Sequence, residues 1–180
     1  MRILLFLAEG FEEIEAVAPI DVFRRAGIDV TTVSVSNKLT VNGAHNIGVN
    51  ADVTFEKADF SGDILIYLPG GMPGTTNLDN HPGLKELIEK QAAKGATIAA
   101  ICAAPSILGK MGLLKEKEAI CYPGFESFLT DAKISSSTIV KSGNILTAKG
   151  PGVAIPFALK IVEEFKGKDT AQQVANGMIL

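Results

Sequence analysis

The chain has 180 residues, of which 47% are hydrophobic and 21% are charged, and its formal net charge is −3. This length and composition predict one globular domain over residues 1–180 and exclude an intrinsically disordered protein. The mild acidity argues against binding to a phosphate backbone as the main role, so we expect no nucleic acid as a stable partner.

The sequence has no pattern typical of a membrane span or of a secretory signal. No apolar run approaches the roughly 18 residues of a membrane span. The apolar run at residues 3–7 is too short for the core of a secretory signal and leads into acidic residues. Two cysteines, Cys102 and Cys121, do not make a disulfide framework. We therefore expect a cytoplasmic protein with no membrane partner.

Strand and helix patterns alternate along the chain. Apolar and β-branched runs predict strands at residues 2–8, 28–35, 63–68, 97–101 and 118–122, and a hairpin of 138–141 with 144–148. Helical spacing predicts helices at 12–26, 82–94, 105–111, 154–165 and 170–177, with a helical turn at 126–130. Pro19 leaves open whether the first helix is kinked or preceded by a separate turn, and residues 37–55 predict a small hairpin or an irregular excursion. The alternation predicts a doubly wound, mostly parallel sheet with helices on both faces.

The stretch Thr97–Pro105 places a cysteine at a sharp corner. An apolar strand ends at Cys102, small residues follow, and Pro105 opens a helical pattern. This strand–turn–helix arrangement exposes a nucleophile at the top of a parallel sheet, beside a helix N-terminus. The helix dipole favours an anion, so we predict a thiol pKa well below the usual value of about 8.5. Cys121 is interpreted as a core residue.

The partner of this cysteine is not a histidine. The chain contains only His45 and His81, and neither follows the corner, which excludes a Cys-His-Glu triad. We interpret both as solvated loop residues, and no metal-ligand spacing is visible. Glu15 lies at helical spacing with Ala18, Val22 and Ala26, on an otherwise apolar stripe. It is either a buried, protonated carboxyl group that donates to a thiolate or a glutamate at the edge that reaches solvent.

Gly70 and Gly71 end the strand that begins at Asp63, and ligands bind at the carboxyl ends of such strands. Glycine lets a backbone N–H approach a substrate oxygen, so Gly71 and Ala103 are candidates for an oxyanion site. The alternative is a turn that requires positive φ. No phosphate-binding loop is present.

The assembled motifs resemble the ThiJ/PfpI superfamily, in the branch of the Parkinson-linked protein deglycase and the bacterial YajL-type proteins. The resemblance covers nearly the whole chain and is carried by the stretches at residues 8–16, 21–28, 68–71, 99–103, 145–152 and 157–163. It implies a flavodoxin-like, class I glutamine amidotransferase-like domain, a single helix at 12–27, and a homodimer. It also implies a reactive Cys102 paired with protonated Glu15, and an oxyanion pocket at Gly71 and Ala103.

Three positions depart from relatives in this superfamily. Ala103 stands where the protease-like branch has histidine, which argues against peptidase activity, and Ala104 replaces a common glycine. Tyr122 stands where the deglycase has a histidine, and a tyrosine with a pKa near 10 carries protons poorly at neutral pH. With Gly70, Tyr122 is expected to form a secondary pocket.

The resemblance implies two alternative functions. The first is a cofactor-independent glyoxalase or deglycase that acts on glyoxal, methylglyoxal or their early adducts on proteins and nucleotides, and gives 2-hydroxy acids. The second is an oxidative-stress redox sensor or chaperone that uses the same cysteine. We expect no cofactor and no metal for either.

Overall fold

The computed structural model describes residues 2–180 and contains a central sheet of seven strands. The eleven strands are, in chain order, β1 (Arg2–Leu7), β2 (Asp29–Ser34), β3 (Thr40–Asn42), β4 (Gly48–Asn50), β5 (Val53–Thr54), β6 (Ile64–Leu68), β7 (Ile98–Ile101), β8 (Glu118–Ala119), β9 (Lys133–Ile134), β10 (Ile139–Ser142) and β11 (Ile145–Ala148). The central sheet has the order β10-β11-β7-β6-β1-β2-β5. All neighbours are parallel except β10 and β11, which form the predicted antiparallel hairpin. The predicted α/β class is confirmed.

Six helices cover both faces of this sheet. They are α1 (Glu13–Arg25), α2 (Gly74–Asp79), α3 (Pro82–Ala93), α4 (Pro105–Lys110), α5 (Ala154–Lys166) and α6 (Lys168–Gly177). Buried residues of α1, α5 and α6 share one hydrophobic cluster, and those of α2, α3 and α4 share the other. The flavodoxin-like arrangement thus buries the central strands on both sides, which explains their continuous apolar runs. Among residues 2–180, no helix is both long and apolar enough to cross a membrane.

Helix α1 is continuous through Pro19, so the alternative of a separate preceding turn is wrong. The helix begins after Glu12, which is extended, and ends at Arg25; Ala26 caps it, and Gly27 follows with a φ of 66°. Glycine adopts this left-handed conformation without strain, which is why it closes the helix. Because α1 follows β1 after a short turn, its N-terminal end lies at the carboxyl end of β1, at the same edge of the sheet as the cysteine corner.

Three segments complete or correct the sequence prediction. For residues 37–55 the hairpin alternative is confirmed as β3–β4, and β5 follows it at the edge of the main sheet. Helix α2 was not predicted. The strand predicted at 118–122 is limited to β8, which pairs with β9 in a small separate sheet. It ends early because the N–H groups of Ile120 and Tyr122 bond to Thr147 Oγ1 and the Cys102 carbonyl instead of to a strand.

Candidate functional site

The cysteine corner is held in a conformation that few residues adopt. Cys102 follows β7 with a φ of 64°, in the left-handed region that is uncommon outside glycine. Its N–H donates to the Ala148 carbonyl at 2.9 Å, and its carbonyl accepts from the Tyr122 N–H at 2.7 Å. Helix α4 begins three residues later at Pro105. These contacts stabilise the sharp corner predicted from the sequence and leave 8% of Cys102 exposed.

Glu15 lies in α1 and is fully buried beside this cysteine. Its Oε2 accepts a hydrogen bond from the Gly70 N–H at 2.8 Å. Its Oε1 has no partner of regular hydrogen-bond geometry among residues 2–180, and the side chain that interacts with the carboxyl group is Cys102. The structure thus brings Glu15 and Cys102 together, and the alternative of a solvent-exposed glutamate is wrong.

Gly70 fits between these two side chains because it has no Cβ. An added Cβ would lie 2.7 Å from Cys102 Cβ and 2.8 Å from Glu15 Oε2, closer than carbon contacts allow. Gly71 adopts a φ of 90°, and a Cβ there would lie 2.3 Å from the Glu12 nitrogen. Both glycines are therefore needed for close approach, and Gly71 also for its backbone conformation.

The protonation of the pair is set mainly by burial. Burial raises the pKa of Glu15 to about 7. Hydrogen bonds from Cys102 and from the Gly70 N–H stabilise the carboxylate and oppose this increase. Burial and the neighbouring Glu15 carboxylate raise the pKa of the Cys102 thiol to about 12, while the N–H groups of Gly71 and Ala103 oppose this shift. Near neutral pH the Cys102 thiol therefore keeps its proton, and the Glu15 carboxyl group is about half protonated.

The lowered thiol pKa that the sequence predicted is therefore wrong for the resting site. Helix α4 has six residues, and its N-terminal partial charge does not outweigh burial beside a carboxylate. The N–H groups of Gly71 and Ala103, predicted to bind a substrate oxygen, hydrogen-bond to the sulfur itself. A thiolate forms here when its proton passes to Glu15, because the carboxyl group then donates to sulfur and no longer repels it.

Tyr122 meets the corner through its backbone and lines a groove. Its side chain is 45% exposed, and a Cβ added at Gly150 would lie 3.1 Å from its Cδ2 atom, so the ring lies against that glycine. Tyr122, Pro123 and residues 149–153 surround a groove of about 350 Å³. The secondary pocket was predicted between Tyr122 and Gly70. In the structure residues 149–153 face Tyr122 instead, and Gly70 lies between Cys102 and Glu15.

Sequence reasoning missed two polar residues near the site. Glu13 was interpreted as an ordinary first-turn acid but is 6% exposed, and it accepts from the His45 N–H at 2.7 Å and pairs with His45 Nδ1 at 2.8 Å. Tyr67 is fully buried in β6, and its hydroxyl donates to the Glu15 carbonyl at 3.1 Å. A tyrosine within a continuous apolar strand was the available signal for Tyr67, because a buried hydroxyl needs a partner.

The histidines differ from the sequence interpretation only in part. The His45 side chain is 67% exposed, as expected, but it is tied to Glu13. His81 Nδ1 accepts from the Leu84 N–H at 3.0 Å and caps α3. Within residues 2–180, one group of three side chains, Glu12, Glu13 and His45, has ligand atoms within 4.8 Å of one another. The Glu13–His45 ion pair accounts for this proximity, and the absence of a metal stays a prediction.

Comparison with known proteins places the chain in a family. The model of the DJ-1/PfpI family matches residues 1–164. The chain belongs to the DJ-1/PfpI family. Protein DJ-1 homolog B of Arabidopsis thaliana is 39% identical over 99% of this chain, which spans 41% of that protein's length. The glutathione-independent glyoxalase DJR-1.2 of Caenorhabditis elegans is 32% identical over 99% of this chain and 95% of its own.

The fold agrees with this family. The structure of Toxoplasma gondii DJ-1, described as oxidized, superposes with a TM-score of 0.91 at 33% identity, covering 99% of this chain and 97% of that one. The resemblance read from the sequence motifs is therefore confirmed at the level of family and fold.

Proposed function

We propose that this protein is a cysteine-dependent glyoxalase or deglycase that converts 2-oxoaldehydes, or their early protein and nucleotide adducts, into 2-hydroxy acids. The observation that carries the proposal is the buried pair of Cys102 and Glu15, in which a carboxyl group with a pKa of about 7 lies against the thiol. The rearrangement needs one nucleophile and one acid/base group, and this pair supplies both. The C. elegans relative that is named a glutathione-independent glyoxalase supports the same substrate class.

The first step is nucleophilic addition. Glu15 accepts the thiol proton as the Cys102 sulfur forms a bond to the aldehyde carbon and the C=O π bond opens. Glu15 then delivers this proton to the aldehyde oxygen, which gives a hemithioacetal and restores the carboxylate. The Gly71 and Ala103 N–H groups hydrogen-bond to the sulfur, so a carbon bonded to the sulfur would come close to them. We assign them to stabilise the developing oxyanion.

The second step moves hydrogen between adjacent carbons. Glu15 removes the proton from the hemithioacetal carbon and returns it to the neighbouring carbonyl carbon, while the hemithioacetal hydroxyl proton passes to the neighbouring carbonyl oxygen. The first carbon is oxidised and the second is reduced by the same electron pair. The product is a thioester of a 2-hydroxy acid on Cys102. Water hydrolyses this thioester, which releases the acid and restores the thiol, so no cofactor and no external oxidant are required.

The test measures lactate formed from methylglyoxal without glutathione. We expect turnover by the wild-type protein and none by Cys102→Ala. Cys121→Ala is the matched control, because Cys121 is also buried but packs in the other core cluster. Equal lactate formation by the wild type and Cys102→Ala would overturn the proposal. Removal of the adduct from a glycated peptide, measured with the same variants, tests the deglycase activity.

We also propose that the protein is a cytoplasmic homodimer. Ile14 and Val17 on α1 and Ile47 in the β3–β4 loop are 54%, 45% and 57% exposed. Ile47 approaches Glu13, the neighbour of Ile14, through its N–H group, so these apolar side chains belong to one region. Their burial by a second copy would remove apolar surface from water. Sedimentation of Ile14→Lys against the wild type tests this interface.

A second candidate function is a redox sensor, with a chaperone activity as its output. A thiolate stabilised by protonated Glu15 also reacts with peroxide to give a sulfenic and then a sulfinic acid. The solved relative described as oxidized supports this alternative. Intact-mass measurement after peroxide treatment is expected to show two added oxygens on Cys102. Further oxidation to the sulfonic acid without a stable intermediate would contradict a sensor.

A further inference from the structure

The groove beside Tyr122 is built directly on the backbone of the nucleophile. One wall, Tyr122 and Pro123, begins at the Tyr122 N–H, which donates to the Cys102 carbonyl at 2.7 Å. The other wall, residues 149–153, follows Ala148, whose carbonyl accepts from the Cys102 N–H at 2.9 Å. Each wall therefore begins next to a hydrogen bond to the Cys102 backbone, one at its N–H group and the other at its carbonyl.

The lining of this groove is mostly carbon. A tyrosine ring, two prolines, a valine and two glycines contribute to it, and Lys149 is the single charged residue among the described residues of its lining. Its volume of about 350 Å³ is near the lower end of small-molecule sites, which span roughly 300–1,000 Å³. The groove is thus suited to one ring or a short alkyl chain, whereas a folded polypeptide surface exceeds its size.

We infer that this groove binds the substituent of a 2-oxoaldehyde whose aldehyde carbon is attacked by Cys102, and that it selects substrates with an aromatic or extended apolar substituent. This inference rests on the proposed function and adds a substrate class to it. With phenylglyoxal and water the reaction gives mandelate: the aldehyde carbon becomes the carboxyl carbon and the ketone becomes the hydroxyl-bearing carbon. Burial of the phenyl ring against Tyr122 would favour this substrate over glyoxal, which has no substituent to bury.

Gly152 offers a way to fill the groove without disturbing the fold. A Cβ at Gly152 meets no atom within 4 Å, and its φ is outside the left-handed region, so valine is tolerated there. Gly177, at the end of α6, shares both properties and lies outside the groove lining. Gly177→Val is therefore the matched control for Gly152→Val.

The first experiment compares kcat/KM for phenylglyoxal and glyoxal. In Gly152→Val we expect the ratio of phenylglyoxal to glyoxal to fall about tenfold, in the range that small steric changes in an apolar site produce. We expect Gly177→Val to keep the wild-type ratio. A Gly152→Val ratio within twofold of the wild type would overturn the inference while leaving the proposed function intact.

A second readout does not depend on turnover. 2-Bromoacetophenone and iodoacetamide both alkylate a thiolate, in a step that forms a sulfur–carbon bond and releases halide, but only the former carries a phenyl ketone. We expect Gly152→Val to slow alkylation of Cys102 by 2-bromoacetophenone about tenfold relative to iodoacetamide, measured by intact mass and peptide mapping. If this selectivity is present but no 2-oxoaldehyde is converted, the groove stands and the proposed function fails. Equal slowing of both reagents would refute the groove.

Discussion

Two buried glutamates in the first turn of α1 differ in their protonation. Both Glu13 and Glu15 are buried, at 6% and 0% exposure. Burial raises the pKa of each, but for Glu13 the hydrogen bonds from the His45 ring and from backbone N–H groups outweigh it, and its pKa is lowered. Glu15 has one backbone donor, from Gly70, and its pKa rises to about 7. Burial therefore prevails at Glu15, which has one backbone donor, and the larger set of donors prevails at Glu13.

The helix separates the two roles. Residues two positions apart in an α-helix point roughly 200° apart around its axis. Glu13 thus turns toward the β3–β4 hairpin, where it binds residues 45 and 47, and Glu15 turns toward the cysteine corner. One carboxylate is saturated with donors and anchors a hairpin, and the other has unused acceptor capacity and is available for proton transfer.

The largest expected difference between substitutions of Glu13 and Glu15 is in catalysis. Because Glu15 is the only acid/base group assigned to the reaction, Glu15→Gln is expected to lower kcat/KM for methylglyoxal by about 10²–10⁴. Glu13→Gln is expected to keep kcat/KM close to that of the wild type. Lactate formation measures both variants, and equal losses in both would show that the difference in protonation has no catalytic meaning.

The pH dependence sharpens this prediction. Glu15 must be ionised to accept the thiol proton, so activity should rise with pH through about 7 and be low in more acidic solution. The same ascending limb should remain in Glu13→Gln, because the pKa of Glu13 is shifted in the opposite direction.

The next effect is on stability. The folded state holds the Glu15 proton more tightly than the unfolded chain, so its contribution is present below pH 4.5 and is lost as the pH rises to about 7. The shift from 4.5 to about 7 corresponds to roughly 3 kcal/mol at about 1.4 kcal/mol per unit. The unfolding free energy of Glu15→Gln relative to the wild type should therefore rise by roughly 3 kcal/mol between pH 4 and pH 8.

Urea denaturation at both pH values measures this difference. In the acidic part of this range Glu13→Gln should behave in the opposite sense, because the lowered pKa of Glu13 stabilises the wild type more as the pH rises; at higher pH this stabilisation declines as His45 loses its proton. A constant difference between Glu15→Gln and the wild type across this range would contradict a raised pKa.

A smaller effect comes from the glycine that faces each carboxylate. A Cβ at Gly43 would lie 2.2 Å from Glu13 Oε1, just as one at Gly70 would lie 2.8 Å from Glu15 Oε2. Each alanine substitution should cost about 1–3 kcal/mol through overpacking. Gly70→Ala should also lower turnover because it displaces Cys102 or Glu15, and Gly43→Ala should leave turnover largely intact. Loss of turnover in both variants would show that the hairpin anchor and the site are coupled.

The smallest expected effect is on the pKa of His45. The hydrogen bond that the His45 ring donates to Glu13 and the charges of Glu12 and Glu13 raise the pKa of His45, whereas burial lowers that of His81. An NMR titration should therefore resolve the two, with His45 titrating at the higher pH. In Glu13→Gln the His45 curve should move down toward its usual value and the His81 curve should stay. An unshifted His45 would mean that the ion pair is absent in solution.

Much of this site was determined by sequence. An apolar strand that ends at Cys102 before Pro105 predicts a sharp corner, since local chain geometry follows from local residues. The spacing of Glu15 with Ala18 and Val22 placed its carboxyl on the apolar face of a helix, and this facing position is what buries it. The family motifs added the pairing of these two residues across 87 positions of sequence (102 − 15).

Only the tertiary structure decided how these groups ionise. The thiol pKa is raised because burial and the Glu15 charge outweigh the helix end, and that balance depends on distances between β7, α1 and the Gly70 turn. Glu13 reads from sequence as a routine first-turn acid, and its anchoring role appears only where the hairpin folds over it. The cysteine corner remains the centre of the molecule, but its reactivity depends on transfer of the thiol proton from Cys102 to Glu15.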